Sequence, residues 1–315
     1  MFNCFWRIEV MALSRVGIID VGTNSARLLV AEVSEEKKVT PVYTGLKTTR
    51  LGEGIQGGIL LPGPVERTVE ALRSMRESAL EYSAQVVLAA GTSAVRDAAN
   101  SDFFLAEVFQ RTGLSLRVLS GGEEAFYSYM GVTSSFGELK SAVITDIGGG
   151  STEFTWMKKG KLICRSVNAG AVRMTEGGHS DAQILQIMRE TLDEVKKEAP
   201  SELIGVGGTV TTLAAIDMAL EVYDRSLVHG HRLAVDTIYG IRDTLVLAGP
   251  GGRKGIPGLQ PARSDIILAG VRILIQLMDF LDIGEIVVSE ADLMYGLALE
   301  AAKSVGKNIN INNQN

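Results

Sequence analysis

The chain has 315 residues, of which 46% are hydrophobic and 22% charged, which excludes a wholly disordered protein and allows two domains of about 150 residues each. Its formal net charge of −6 argues against a protein that binds nucleic acid through overall positive charge, and leaves room for a local basic pocket. Cys4 and Cys164 are too few for a disulfide framework, and the longest apolar stretch, residues 266–280, is interrupted by charged and polar residues. We therefore expect a cytoplasmic protein without a membrane segment or a nucleic-acid partner.

The first ten residues lack the basic start and apolar core of a signal peptide. We interpret residues 1–10 as an over-called start, with Met11 as the alternative initiator, and leave them out of the fold prediction.

The first half of the chain predicts strands and helices in alternation. Its elements, in chain order, are strands at 16–20, 28–33 and 39–43, a helix from Pro64, a strand at 86–90, a helix at 102–111 and a strand at 114–119. The first two strands flank a glycine-rich turn and are expected to form a hairpin. We expect Ser101 to cap the second helix and Gly113 to end it. This alternation indicates an α/β fold.

A repeat of domain size connects the two halves of the chain. Residues 18–28, IIDVGTNSARL, align without a gap with residues 144–154, ITDIGGGSTEF, so that Asp20 corresponds to Asp146. The second copy also continues as a hairpin, through a Lys-Lys-Gly turn into a strand at 161–167. A repeat of this size predicts two similarly folded lobes with a cleft between them, and not a solenoid of short units.

A third glycine turn lies in the second half. A strand at 203–206 leads into Gly207, Gly208 and Thr209, and a helix follows over 210–216. The free amides at a helix N-terminus provide a binding site for anions. The remaining elements are a helix at 264–281, a strand at 285–289, a helix from 291 to about 305 and a disordered tail at 307–315.

Each of the two repeated turns combines an aspartate at the end of a buried strand with glycine and a hydroxyl residue. Glycines let the backbone approach a phosphate, hydroxyls donate hydrogen bonds to it, and the aspartate can hold a cation that neutralises its charge. A single turn of this kind is more often only a tight hairpin turn. Two turns in register and a Gly-Gly-Thr turn favour a phosphate site.

Seven segments, in this order, resemble the motifs of the exopolyphosphatase and guanosine pentaphosphate phosphohydrolase (Ppx/GppA) family, within the actin, Hsp70 and sugar-kinase superfamily. They are DVGTNSARLL (20–29), TRLGEGI (49–55), AAGTSAVRDAAN (89–100), LSGGEEAFYSYMGV (119–132), DIGGGSTEF (146–154), GVGGTVTTLAAI (205–216) and VHGHRL (228–233).

The resemblance implies two actin-like (ribonuclease H-like) lobes with a catalytic cleft between them. We expect lobe I to comprise residues 14–122 plus about 291–306, and lobe II residues 123–290. The chain is similar to the short, two-domain members of the family and stops before the additional C-terminal region of the longer ones.

The resemblance also implies roles for individual residues. Glu124 and Glu153 match the catalytic carboxylates, which orient or deprotonate the attacking water, and Asp20, Asp146 and Glu153 match the residues expected to hold Mg²⁺ (or Mn²⁺). The phosphate-binding set implied by the motifs is Gly22, Asn24, Ser25, Arg96, Gly148, Gly149, Ser151, Thr152, Gly207, Gly208 and Thr209.

Several other polar residues carry weaker predictions. Arg50 and Arg263 are further phosphate-binding candidates, and Glu123 is expected only to favour the start of its helix. His229 and His231 are spaced to lie on one face of a strand, and two histidines without a third ligand make a poor metal site.

Two departures from the family pattern remove positive charge that the family often carries. They are Phe126 and, within the segment Asp292 to Gly296, Met294. These departures put in doubt how long a phosphate chain the protein can hold. Because the resemblance is to the short members without the additional C-terminal region, we expect short polyphosphates or a guanosine nucleotide as substrates.

The implied function is a metal-dependent phosphoanhydride hydrolase that releases terminal phosphate from inorganic polyphosphate, or from pppGpp to give ppGpp. An ATP-dependent kinase of the same superfamily is one alternative, because the same turns would bind ATP. A sensor that binds ppGpp or polyphosphate without cleaving it is another. Oligomeric state cannot be predicted from the sequence, which leaves a homodimer open.

Overall fold

The computed structural model describes residues 13–312, with side chains described to residue 305. Two β-sheets follow each other along the chain. The first sheet contains, in chain order, β1 (Ser14–Val21), β2 (Ala26–Val33), β3 (Val39–Lys47), β4 (Val86–Gly91) and β5 (Leu116–Val118), with α1 (Pro62–Glu81), α2 (Ser93–Asp97) and α3 (Ser101–Thr112) in the connections.

The second half begins with a long helix and builds a six-stranded sheet. Its elements are α4 (Gly121–Phe136), β6 (Ala142–Ile147), β7 (Thr152–Lys158), β8 (Lys161–Val167), α5 (Ala171–Glu176), α6 (Asp181–Lys197), β9 (Glu202–Val206), α7 (Gly207–Asp217), α8 (Arg225–Val228), β10 (Arg232–Ala234), α9 (Val235–Gly252), α10 (Ile267–Leu281), β11 (Glu285–Val288) and α11 (Leu293–Asn312).

The two sheets share one topology at their centres. In the first sheet the strand order is β3-β2-β1-β4-β5, with β1 to β3 antiparallel and β4 and β5 parallel to β1. In the second sheet the order is β10-β11-β9-β6-β7-β8, and β6 to β8 repeat the antiparallel meander beside the parallel strand β9. The predicted α/β fold with a duplicated hairpin is therefore confirmed.

Helices cover both faces of each sheet. On the first sheet, α1 and α3 bury one face and α11 the other, where Ile18 and Leu29 pack against Leu297. On the second sheet, α6, α7, α9 and α10 bury one face and α4 the other. The chain passes from the first sheet to the second through α4 and returns through the loop before α11.

Several predicted element ends differ from the structure. Asn100, not Ser101, precedes α3, and its side chain bonds the backbone of Leu60 instead of capping the helix. The helix predicted from residue 264 begins at Ile267 because Pro261 starts a separate 3₁₀ turn. The prediction that Gly113 ends α3 is confirmed, since Gly113 adopts a left-handed conformation there.

The placement of the two histidines on a strand was wrong. His229 follows α8 directly and His231 precedes β10, because the left-handed Gly230 turns the chain between them.

At the ends of the chain, α11 extends to Asn312, beyond the predicted start of the tail at residue 307. Residues 313–315 of that tail, and the N-terminal residues 1–10, lie outside the described residues. None of the helices within residues 13–312 has the length and apolar character that a membrane span requires.

Candidate active site

The two repeated turns have the same backbone geometry. The amide of Gly22 donates to the carbonyl of Ser25 at 3.1 Å, and the amide of Gly148 donates to the carbonyl of Ser151 at 3.0 Å. Within each hairpin the aspartate at the strand end is paired with one residue of the next strand, Asp20 with Arg27 and Asp146 with Glu153. The sequence repeat is therefore also a structural repeat, in which an arginine of one sheet takes the place of a glutamate of the other.

The third glycine turn joins β9 to α7 and lies against the second hairpin. Gly207 has a φ of +87°, and a Cβ atom there would lie 2.5 Å from Oδ1 of Asp146. No side chain caps α7, so the amides of its first turn are free to bind an anion. Only glycine allows both the left-handed backbone and this close approach to a carboxylate.

Replacement of Gly207 with alanine is expected to lower the free energy of unfolding by about 1–3 kcal/mol, because the left-handed backbone strains any residue with a Cβ. The measurement is chemical denaturation of the two proteins. Gly122→Ala is the matched control, since Gly122 is helical and a Cβ there meets no atom within 4 Å. Equal stability of the Gly207→Ala variant and the wild type would contradict the prediction.

The three turns surround a cavity of about 100 Å³ between the two sheets. Most of the predicted site residues line it, namely Asp20, Gly22, Asn24, Ser25, Glu124, Asp146, Gly148, Gly149, Ser151, Gly207, Gly208 and Thr209. Three predicted residues do not line it: Arg96, Thr152 and Glu153. The hydroxyl of Thr152 donates to the carbonyl of Ala169, so its contact is with the backbone of its own lobe.

Glu124 is the buried carboxylate on the wall that α4 provides. It lies in the first turn of the helix, only 8% exposed, and its Oε2 accepts a hydrogen bond of 2.9 Å from Arg96. Burial raises the pKa of Glu124 to about 8, although the charge of Arg96 opposes this shift. Arg96 donates to Glu124 and to the carbonyl of Leu119. It does not line the cavity itself, so it can influence the cavity only through its contact with the Glu124 carboxylate.

Neighbouring Glu123 has a different role. Its side chain accepts from the amide of Ser120 while the Ser120 hydroxyl accepts from the amide of Glu123, which forms a capping box at the start of α4. Its other oxygen pairs with Arg117 at 2.6 Å. Glu123 therefore stabilises the helix start, as predicted, and does not line the cavity.

Three further carboxylates lie beside Glu124, of which Asp20 and Glu153 are buried and Asp146 is partly buried. Burial raises the pKa of Asp146 to about 6, while the Ser128 hydroxyl donates to its Oδ2 at 2.9 Å. Glu153 lies behind it, accepts from the Ser166 hydroxyl at 2.7 Å, and has a pKa well above its usual value because of burial and the nearby Glu124. Burial also raises the pKa of Asp20.

Two oxygen atoms of this acidic cluster lack a partner. Oδ1 of Asp20 and Oε2 of Glu153 are buried and accept no hydrogen bond. Buried carboxylates of like charge need either protons or a cation. Mg²⁺ typically binds one or two carboxylates and completes its shell with water and phosphate oxygens. The two unpartnered oxygens fit a cation that also binds the ligand's phosphate. Within residues 13–305 no three acidic, histidine or cysteine side chains form a metal site by themselves.

Arg27 is the main site residue that the sequence analysis missed. It donates to Oδ2 of Asp20 through Nε at 2.9 Å and Nη2 at 2.7 Å, and it also pairs with Asp292. The repeat contained a signal for it, because the aligned position in the second copy is Glu153.

A second cavity of about 330 Å³ adjoins the first, and Arg27, Gly207, Gly208 and Arg263 line both. The second cavity also contains Arg225, Tyr223 and Tyr295. Arg225 pairs with Glu290 at 2.7 Å, whereas no carboxylate of the described residues lies within ion-pair distance of Arg263. Burial and the nearby Arg27 lower the pKa of Arg263 to about 10. The departure at Met294 lies in this wall, which carries three arginines against the two carboxylates Glu290 and Asp292.

Contacts across the cleft join the two lobes. Arg173 pairs with Asp97 at 2.5 Å, Glu176 accepts from the amide of Gly54 at 3.0 Å, and Arg50 pairs with Asp265 at 2.6 Å. Arg50, a weaker phosphate-binding candidate, therefore bridges the lobes here.

The sequence of this chain matches a known protein family. The model of the Ppx/GppA phosphatase family matches residues 29–305. The chain belongs to this family. It is 34% identical over 310 residues to a bifunctional 3-dehydroquinate synthase/phosphatase of Fusobacterium nucleatum, with 91% of the chain aligned to 46% of that protein, so it spans about half the length of this relative. It is 33% identical over 321 residues to exopolyphosphatase 2 of Mycobacterium tuberculosis, with 93% of the chain aligned to all of that protein.

A solved Ppx/GppA structure confirms the fold. The enzyme of Aquifex aeolicus is 28% identical and superposes with a TM-score of 0.73, covering 92% of this chain and all of that one. The predicted family membership and the actin-like, two-lobed α/β architecture are therefore correct.

Proposed function

We propose that this Ppx/GppA protein hydrolyses phosphoanhydride bonds and releases the terminal phosphate of inorganic polyphosphate or of pppGpp. The observation that carries the proposal is the position of Glu124, a buried carboxylate with a raised pKa on the wall of a phosphate-sized cavity surrounded by three glycine turns. A group with this pKa is suited to act as a general base near neutral pH.

The terminal phosphate binds in the small cavity. The amides that follow Gly22 and Gly148 in the two turns, and those at the N-terminus of α7, donate to its oxygens. Water attacks the terminal phosphorus, Glu124 accepts the proton of that water, and the bond from phosphorus to the bridging oxygen breaks. The products are inorganic phosphate and a substrate shortened by one phosphoryl group. Catalysis of this kind depends on positioning and on stabilisation of charge.

Asp20 and Asp146 would hold Mg²⁺ or Mn²⁺ at the edge of the same cavity, with Glu153 behind them. When bound, the cation would neutralise negative charge on the phosphate oxygens. Arg27 orients Asp20 and opposes the rise of its pKa that burial causes, and Ser128 orients Asp146.

The rest of the substrate extends into the larger cavity, where Arg27, Arg225 and Arg263 neutralise its phosphates. A volume of about 330 Å³ lies at the lower end of the range for small-molecule sites, so it limits how much substrate is held. Short polyphosphates or pppGpp are therefore preferred over very long chains, whose processive cleavage needs several points of attachment.

The test is phosphate release by the purified protein with Mg²⁺, using tripolyphosphate, long-chain polyphosphate, pppGpp and ATP in parallel. Release from tripolyphosphate or pppGpp supports the proposal. Processive degradation of long chains would overturn the preference for short substrates. Binding of these ligands without release would favour a sensor, and phosphate transfer from ATP to an added acceptor would favour a kinase.

Stability should depend on pH and on Mg²⁺ together. The folded-state pKa values of Asp146 and Glu124 are raised, to about 6 and about 8, so their contribution to stability is complete below their unfolded values of about 4 and is lost as the pH rises through these folded values. We expect the melting temperature in chelator to fall between pH 5 and pH 9. Added Mg²⁺ should raise it more at pH 9 than at pH 5, because protons compete for the carboxylates. An equal Mg²⁺ effect at both pH values would contradict this.

A further inference from the structure

The VHGHRL segment has no part in the proposed chemistry, yet His229 has specific contacts in the structure. Its Nδ1 accepts a hydrogen bond of 3.2 Å from the amide of Glu290, and its Nε2 lies 2.8 Å from the hydroxyl of Ser135. The ring also packs on Phe136, with 4.8 Å between ring centroids. His229 therefore joins the end of α4 to the loop 289–292.

These two segments are the places where the described chain crosses between the sheets. The loop also packs closely on α4, since a Cβ atom on Gly131 of α4 would collide with the carbonyl oxygen of Asp292. A shift of the loop relative to α4 thus moves the start of α11 and the wall of the larger cavity.

The loop 289–292 orients two of the cavity arginines. Glu290 accepts from Arg225 at 2.7 Å and from the hydroxyl of Tyr223. Asp292 pairs with Arg27, and its Oδ1 accepts from the amide of Met294 at 2.9 Å. The position of the loop therefore sets the positions of Arg225 and Arg27.

The hydrogen bonds define the protonation state that His229 needs. A backbone amide can only donate, so Nδ1 must carry a lone pair, and the ring proton on Nε2 donates to Ser135. Burial and the charge of Arg225 lower the pKa of His229, while the carboxylate of Glu290 opposes them. A proton on Nδ1 would remove the acceptor and leave the Glu290 amide without a partner.

We propose that His229 is a positioning residue, whose neutral ring fixes the loop 289–292 to α4 and thereby holds Arg27 and Arg225 in place to bind the phosphate substrate. The inference rests on the proposed function, because it assigns the larger cavity to that substrate.

The experiment compares two variants of nearly equal polarity. In His229→Asn the amide oxygen reaches the position of Nδ1 and can accept from Glu290. In His229→Gln the longer side chain reaches the position of Nε2 and leaves the Glu290 amide without an acceptor. The measurements are KM and kcat for tripolyphosphate hydrolysis, the Kd of tripolyphosphate by calorimetry, and the melting temperature of each protein.

We expect the glutamine variant to raise KM and Kd about tenfold, as the loss of one partly buried hydrogen bond predicts, with kcat within about threefold of wild type. The asparagine variant should have KM and Kd values near those of the wild type. Below the ordinary histidine pKa of about 6.5, the wild type should lose affinity relative to the asparagine variant, which has no proton to gain.

Wild-type affinity in both variants, equal losses in both, or lower melting temperatures without a change in Kd would each overturn the role of His229. The same acid dependence in wild type and the asparagine variant would also overturn it. A wild-type protein that neither binds nor hydrolyses tripolyphosphate or pppGpp would instead overturn the proposed function, and this inference with it.

Discussion

Phosphate release by the Glu124→Gln variant is expected to be at least about a hundredfold slower than release by the wild type, because removal of a general base costs about 10²–10⁴ in rate. Glutamine has nearly the same shape and can still accept a hydrogen bond from Arg96, so the cavity should stay intact. The measurement is kcat for tripolyphosphate and pppGpp with Mg²⁺ across the pH range. In the wild type kcat should rise with pH up to the Glu124 pKa of about 8, and in the variant this pH-dependent rise should be lost.

Glu123→Gln is the matched control for this experiment. Glu123 precedes Glu124 in the same helical turn, and glutamine is accepted at this position of a capping box. The control should therefore keep its fold and its activity. A Glu124→Gln protein with activity within a few-fold of the control, and with the same pH profile, would show that another group takes the proton.

Replacing Arg27 with methionine should have the largest effect on stability. Methionine fills much of the same space but leaves Asp20 and Asp292 without their common partner, and both carboxylates are buried. Breaking a buried ion pair from one side costs about 3–5 kcal/mol. We expect the free energy of unfolding to fall by about 3 kcal/mol, near the lower end of this range, because the Arg27 side chain is 28% exposed. Since Arg27 lines both cavities, KM for tripolyphosphate should rise as well.

Chemical denaturation with and without Mg²⁺ measures this effect. The control is Arg73→Met, which removes an exposed ion pair with Glu70 on α1 and should cost less than about 1 kcal/mol. A similarly small loss in the free energy of unfolding in both variants would mean that Asp20 and Asp292 do not need Arg27 as an ion-pair partner in the folded protein.

The repeated hairpins show how far the sequence could predict the site. Each turn is a local structure, in which a short glycine-rich segment between two apolar strands fixes the strand register and places Asp20 or Asp146 at the end of the buried strand. Gly207 could be predicted for the same reason, since a glycine between a strand and a helix marks a special backbone conformation. The alignment of the two copies then predicted two similar lobes whose turns face one cleft, without any knowledge of how the lobes pack.

Contacts between distant parts of the chain were not predictable in this way. Arg27 and Asp292 are 265 residues apart, and no local pattern relates them. Glu153 matches a catalytic motif and lies opposite Asp146 in the β6–β7 ladder, on the same face of the sheet. It nevertheless does not line the cavity, and its carboxylate accepts a hydrogen bond from Ser166 of β8. Arg96 matches a phosphate-binding motif, and its pairing with Glu124 depends on where α4 packs.

By itself the sequence determined the α/β class, the duplicated Asp-Gly turns and the third glycine turn, because strand periodicity and turn chemistry act over a few residues. The candidate base Glu124 followed only from the resemblance of its segment to the Ppx/GppA motifs. Only the tertiary structure decided which of these groups share a cavity, which carboxylates lose their solvent, and how Arg27, Arg263 and His229 enter the site. Those properties come from burial and from pairing across the two lobes, and both depend on how the whole chain packs.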